Sequence, residues 1–224
     1  MGIMIQSGGG KLTVHYQRVS LTGFYLNCAR KSAAAALEVG DDREQIEKRL
    51  ELSIMTILWA TLALESGANE NAENLISDAD LTAFDNCRKH YKKPNKLSKT
   101  VWKWYWLFKV GPKVEMPPSD PLFVAAEELI QLRHNLTHYK PQDTARKVYY
   151  EPPPPVHKED GFTYITVFSP DMKPSKIEPS LVETAVLRQP AAKHYMAARE
   201  IFVQWELKNS RETGKIENAF PPLF

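Results

Sequence analysis

The chain is 224 residues long, 43% apolar and 25% charged, with 29 Lys and Arg against 27 Asp and Glu for a net charge of +2. These proportions belong to a globular chain and exclude collagen, wholesale disorder and a disulfide-stapled scaffold. The length permits one large domain or one domain with an appendage, and it suffices to bury a core without cross-links.

Leu12, Val14 and Tyr16 alternate with polar residues after Gly8-Gly9-Gly10, which predicts a short strand. Phe24 to Val39 reads as an alanine-rich helix stopped by Gly40, where a left-handed conformation suits glycine. Asp41 and Glu44 have the spacing of a capping box, and Ile46, Leu50, Ile54, Ile57, Leu58 and Leu62 form the apolar stripe of a long second helix. Gly67 falls inside this helix at a cost of about 1 kcal/mol relative to Ala, so it should kink the helix or admit another backbone closely.

Shorter helices are expected over Asp80 to Tyr91 and Lys99 to Val110. Asp120 as N-cap and Pro121 at the first helical position open a further helix, with the stripe Leu122, Ala125, Ala126, Leu129, Leu132 and Leu136. Lys140 precedes Pro141 and is pushed out of the helical region, so that helix should stop by about there. Lys147 to Tyr150 and Phe162 to Phe168 flank a spacer with four prolines, Pro152 to Pro155. They predict a two-stranded hairpin that the N-terminal strand could join. A last helix should run from about Pro179 to Asn209, interrupted at Pro190, with Ala191, Tyr195, Ala198, Phe202 and Trp205 on one face. The expected fold is mainly α. A helical bundle spans 23–141, preceded by a strand or arm at 1–22. A proline-rich β-hairpin appendage at 142–178 and a C-terminal helix with its tail at 179–224 follow.

Cys28 and Cys87 are too few and too far apart for a disulfide framework or a zinc knuckle and read as buried thiols. No apolar run approaches the roughly 18 residues of a membrane span, and MGIMIQSGGG lacks the apolar stretch of a signal peptide. A cytoplasmic location without membrane attachment is the expectation. Met1-Gly2 does not start a lipidation signal, because the hydroxyl falls one place late, at Ser7.

The small net charge hides segregation along the chain. Asp41 to Asp85 holds eleven acids and three bases, whereas Asn86 to Val114 holds nine Lys or Arg and no acid. Arg88, Lys89, Lys92, Lys93, Lys96, Lys99 and Lys103 interleave with Trp102, Trp104, Tyr105 and Trp106. The lysines suit attraction to RNA phosphates and the aromatics suit base stacking. The alternative is a helix whose aromatics are core and whose lysines are a solvated face. RNA binding needs only the lysines.

The run Gln131 to Pro141 places Arg133, His134, Asn135 and His138 at the end of an otherwise apolar helix. Arg133 follows Leu129 by four residues and precedes Leu136 by three, so it projects along the edge of the buried face, where an unpaired guanidinium is costly. It therefore requires an anion, either an internal carboxylate or a substrate phosphate. Glu65 and Asn69, one turn apart on the second helix, are the candidates to meet it. Histidine is the residue type that moves protons near neutral pH, so His138 with Arg133 could cleave RNA through 2′-hydroxyl attack, with no metal or other cofactor. Five residues on a regular helix rotate a side chain by about 140°, so the two need a frayed last turn, the reach of arginine or a second subunit to converge.

Arg133-His134-Asn135-Leu136-Thr137-His138 resembles the Arg-x4–6-His motif of HEPN domains, and Leu64-Glu65-Ser66-Gly67-Ala68-Asn69 resembles the acidic-residue helix of bacterial members. The resemblance covers roughly Phe24 to Tyr139. It implies an all-α, HEPN-like antiparallel bundle acting as a homodimer and a metal-independent endoribonuclease of toxin or antiphage-defence type. A cognate antitoxin or regulatory protein is a possible partner. It assigns Arg133 and His138 to catalysis, His134 and Asn135 to polar support and Glu65 to the site wall. Arg188 and His194 have a compatible spacing, but Pro190 lies between them. Two other readings use the same residues: a non-catalytic HEPN module that binds nucleotide, RNA or a partner protein, and a metal hydrolase built on His134 and His138 at i and i+4.

Overall fold

The computed structural model describes residues 3–8, 11–16, 20–40, 45–85, 97–151, 156–159, 162–165, 173–209 and 222–223. The helices are α1 (Leu21–Glu38), α2 (Ile46–Leu75), α3 (Asp78–Asp85), α4 (Lys99–Val110), α5 (Pro121–Thr137), the single turn α6 (Pro141–Thr144), α7 (Leu181–Leu187) and α8 (Ala191–Asn209). The protein is mainly α, as its periodicity predicts.

Helix α2 is the axis of the bundle, packed by α1, α4, α5, α7 and α8. Its inward positions Ile57, Ala60, Leu64, Ala68 and Ala72 are fully buried, and Ala29, Ala33 and Ala36 of α1 are buried with them. Small side chains on α1 let the two helix backbones draw close. The opposite side of the core is aromatic. Trp104 meets Phe202 and Trp205 edge to face at 5.2 and 5.8 Å, and Phe108 meets Phe123 and Trp205 at 5.8 and 5.4 Å. Such pairs contribute roughly 0.5–1.5 kcal/mol each beyond burial of area.

Gly67 explains how this aromatic layer reaches α2. The helix runs unbroken through it, and a β-carbon there would stand 2.8 Å from Phe202 Cζ and 3.1 Å from Trp104 Cζ2. The close approach is thus made by two aromatic rings rather than by another backbone. The Trp104 indole N–H donates to the Leu64 carbonyl at 3.0 Å, and the Trp205 indole donates to Asn71 Oδ1 at 2.9 Å. Both rings therefore have their polar edge satisfied inside the core.

The ends of the helices follow local chemistry. Asp120 Oδ1 accepts from the Leu122 N–H at 2.9 Å with Pro121 behind it, as expected for α5. Helix α1 is capped from a distance: Glu70 of α2 accepts from the Ser20 hydroxyl and from the backbone N–H groups of Leu21 and Thr22 at 2.8, 2.9 and 3.2 Å. A carboxylate at a helix N-terminus satisfies orphan donors and complements the helix dipole. Asp41 and Glu44, the expected capping box of α2, lie outside the described residues, and α2 begins after Gln45.

The β content departs from the single hairpin that was expected. β1 (Ile3–Gly8) and β2 (Lys11–Tyr16) pair with each other, Ile3 opposite Tyr16. β3 (Lys147–Glu151) pairs with β6 (Lys173–Glu178), while β4 (Val156–Glu159) pairs with β5 (Phe162–Ile165). The appendage is therefore an outer pair at its base and a separate inner pair, and the N-terminal strand has its own partner. Alternation marks a strand but does not choose its neighbour, which long-range register decides.

Arg146, just before β3, fastens the base of the appendage. Its Nε donates to Glu183 Oε1 at 2.7 Å, its Nη2 bonds the same oxygen, and its Nη1 lies 3.4 Å from Glu47 of α2. Glu183 also closes a capping box with Ser180 at the start of α7. The Arg146 guanidinium, helped by Ser180 against the cost of burial, holds the Glu183 carboxyl down to about 2.

By length and composition alone α2 could cross a membrane, although its sequence holds no unbroken apolar run of that length. Of its most apolar 18-residue window 44% is buried within the bundle, and one such helix is weak evidence for a span. Met55, Leu58 and Leu62 are half-buried and leave apolar surface partly open along the helix, while Trp59 stacks on Tyr25 of α1 at 5.7 Å.

Candidate functional site

Helix α5 ends at Thr137, and His138 is its C-cap, with its N–H donating to the His134 carbonyl at 3.0 Å. The Thr137 hydroxyl turns back onto the carbonyls of Arg133 and His134 at 3.2 and 3.1 Å. These bonds hold the last turn of α5 together at the surface, where its polar side chains are presented.

Arg133 meets Glu65, as anticipated. Its Nη2 lies 3.5 Å from Glu65 Oε1, and the side chains are 32% and 35% exposed. At that separation the pair is a loose ion pair rather than a short bidentate bond, and water reaches both partners. A phosphate arriving from solvent can therefore compete with Glu65 for the guanidinium.

Asn69 does not join this pair. Its Oδ1 accepts from Lys103 Nζ at 2.7 Å. Lys103 in turn corrects the RNA-binding assignment, because it is only 6% exposed. It bonds Asp85 at 2.7 Å and sits 4.5 Å over the Phe84 ring, stapling α3 to α2 and α4. A lysine spaced with a basic run still belongs to the core when its helix face points inward, and α4 buries Val101, Trp102, Lys103, Trp104, Leu107 and Phe108. Trp102 and Trp104 are core, and Tyr105 and Trp106 pack against it, so the aromatics of the basic stretch serve the fold. Lys99 is exposed. Arg88, Lys89, Lys92, Lys93 and Lys96 lie outside the described residues, as does Cys87, while Cys28 is half-buried and unbridged.

His134 and His138 are both exposed, with ring centroids 4.5 Å apart and planes tilted by 48°. Among the described residues no hydrogen bond or ion pair joins Arg133 to either ring. Within one chain the structure therefore makes two adjacent pairs, Arg133 with Glu65 and His134 with His138, rather than one cluster. No group of three or more His, Cys, Asp or Glu side chains with metal-binding geometry occurs among the described residues, so the histidine pair lacks a third ligand there.

Asn135 is on a different face of α5. It lines a groove of about 870 Å³ between α5, α7 and α8, whose wall contains neither Arg133 nor the two histidines of the motif. The same groove contains Arg188 and His194, the other Arg and His pair with a compatible spacing. His194 is buried at 4% exposure, and burial lowers its proton affinity despite a hydrogen bond with the Val186 backbone.

No family model matches the chain, and no curated protein or solved structure is similar to it. The likeness to HEPN domains rests on the residues of α2 and α5 themselves.

Proposed function

We propose that the protein is a metal-independent endoribonuclease of HEPN type, in which Arg133 neutralises charge developing on a phosphodiester while His138 moves the proton of the attacking 2′-hydroxyl or of the leaving 5′-oxygen. The observation that carries this reading is the water-accessible Arg133 to Glu65 pair on the same helix end as two exposed, adjoining imidazoles. An arginine held loosely by one carboxylate can be drawn onto a phosphate, and a charge formed there is stabilised by it.

A second chain facing the first would bring Arg133 and His138 together on one phosphate. The half-buried Met55, Leu58 and Leu62 support such a pairing, since they leave apolar surface open on the helix that also carries Glu65. A homodimer docked there would set two motifs across a shared cleft, with the exposed Lys99 available to RNA phosphates.

The test is cleavage of a labelled RNA by the purified chain in excess chelator, with the ends analysed. Cleavage leaving a 2′,3′-cyclic phosphate and a 5′-hydroxyl, lost in Arg133→Ala and His138→Ala, is the expected result. Undiminished cleavage by both variants removes the assignment. The division of the motif into two separate pairs within a chain favours one second reading, a non-catalytic module that retains RNA or a partner protein. RNA binding by a dimer that cleaves no substrate would select it.

A further inference from the structure

The groove between α5, α7 and α8 has the properties of a second ligand site. Its volume of about 870 Å³ falls within the roughly 300–1,000 Å³ of small-molecule pockets. Leu122, Leu129, Leu132 and Ala197 give it an apolar lining. At the junction of α7 and α8, Arg188 and Lys193 line it as exposed cations, and neither has an ion pair among the described residues.

His194 stands beside them in the wall. Its Nε2 is closed off from water and has no hydrogen-bond partner. Leaving a buried polar atom unpaired costs on the order of 1–3 kcal/mol, and groups of this kind in folded proteins call for an explanation. A ligand donor supplies one. Water does not reach Nε2, so a ligand contact there requires the surrounding side chains to shift. Glu128 and Glu200 also line the groove, Glu200 seven residues further along α8 than Lys193, roughly 10 Å on a helix. Asp120 and Lys208 line the groove as well, so that stretch is mixed in charge, whereas Arg188 and Lys193 at the junction are both cations.

We propose that the groove binds a small organic anion. Its carboxylate or phosphate rests on Arg188 and Lys193, its apolar body covers Leu129, Leu132 and Ala197, and a hydroxyl or N–H group donates to His194 Nε2. The same acids disfavour a continuous RNA strand, whose phosphates would have to pass them.

Calorimetric titration of the full chain with 3-phenyllactate and with 4-hydroxyphenyl phosphate separates the two anion chemistries. At least one should bind saturably at millimolar concentration or below. Arg188→Ala with Lys193→Ala should weaken it about tenfold or more at an unchanged melting temperature. Ala197→Trp, which fills the apolar lining, should block it. His194→Phe should erase the preference for phenyllactate over phenylpropionate, which lacks the hydroxyl. The proposal is overturned if neither probe saturates, or if binding persists in both the double variant and Ala197→Trp. It is equally overturned if the double variant loses RNA affinity while no small anion binds, because the groove then belongs to RNA.

Discussion

Arg133 Nη2 and Glu65 Oε1 stand 3.5 Å apart, with about a third of each side chain open to solvent. An ion pair so exposed contributes only about 0–1 kcal/mol, so stability alone gives little reason for it. Arg133→Ala should therefore leave the melting temperature close to that of the parent chain while lowering RNA cleavage by about 100-fold or more. Thermal denaturation and a cleavage assay on the same preparation check this. A large loss of stability with unaltered cleavage would make the pair a strut.

Two lysines four residues apart on α4 should behave oppositely. Lys103 is buried and bonds the exposed Asp85 and Asn69, and Lys103→Ala should cost about 1–3 kcal/mol by opening a void and unfastening α3, measured by denaturant unfolding. Lys99 is exposed, so Lys99→Ala should leave stability within about 0.5 kcal/mol. If Lys99 touches RNA, its loss should reduce the salt slope of binding by about one.

At Gly67 helix propensity and packing disagree. Alanine would gain about 1 kcal/mol as a better helix former. Its methyl group would also run into the Phe202 ring and meet Trp104 at 3.1 Å, both of them buried. Overpacking a filled core costs about 1–3 kcal/mol, so Gly67→Ala should be destabilising on balance. Gly67→Ala in a Phe202→Leu background should recover much of the loss, and additive losses in the pair would contradict the packing account.

Acid should weaken the fold in stages. His194 is held below its usual proton affinity by burial, so the unfolded chain takes up the extra proton first and stability starts to fall as pH drops below about 6.5. Glu183, held down to about 2 by Arg146, contributes stability that is complete above the usual carboxylate value of 4.5 and is lost as pH falls from there toward 2. Burial would raise Glu70, but the Ser20 hydroxyl and the α1 backbone N–H groups outweigh it and hold it low, adding loss in the same direction. Urea unfolding between pH 7 and pH 3 should show both phases. His194→Phe should flatten the upper phase and Glu183→Gln the lower.

The helices were legible because periodicity and end chemistry agree locally. Asp120 with Pro121 and the break at Pro190 reappear as structure at the expected place, whereas the stripe of α2 does so only in part: Ile57 is buried, but Leu58 and Leu62 are half-buried and Ala60, Leu64, Ala68 and Ala72 carry the inward face. The pairing of Glu65 with Arg133 was legible too, since an arginine on the edge of an apolar face needs an anion and Glu65 was the acid in a matching setting. What a linear pattern cannot supply is the partner chosen across the core. Lys103 turned inward to Asp85, Asn69 left Arg133 for Lys103, and the strands paired in an order that alternation does not encode. Glu70 as the cap of α1 had no local signal, because it reaches across 50 residues to Ser20. The groove was half visible: the spacing of Arg188 and His194 drew notice, but Pro190 suggested a break rather than the bend that brings both to one wall.

The outer strand pair of the appendage sets Lys147 opposite Glu178, so the chain leaves the bundle and returns to it at nearly the same point. The β3–β6 pair forms a narrow neck, fastened by Arg146 to α7 and α2. Such a neck makes the intervening segment interchangeable: a short turn joining residue 147 to residue 178 would leave every helix of the bundle where it stands. The sequence between them can thus change during descent without disturbing the bundle.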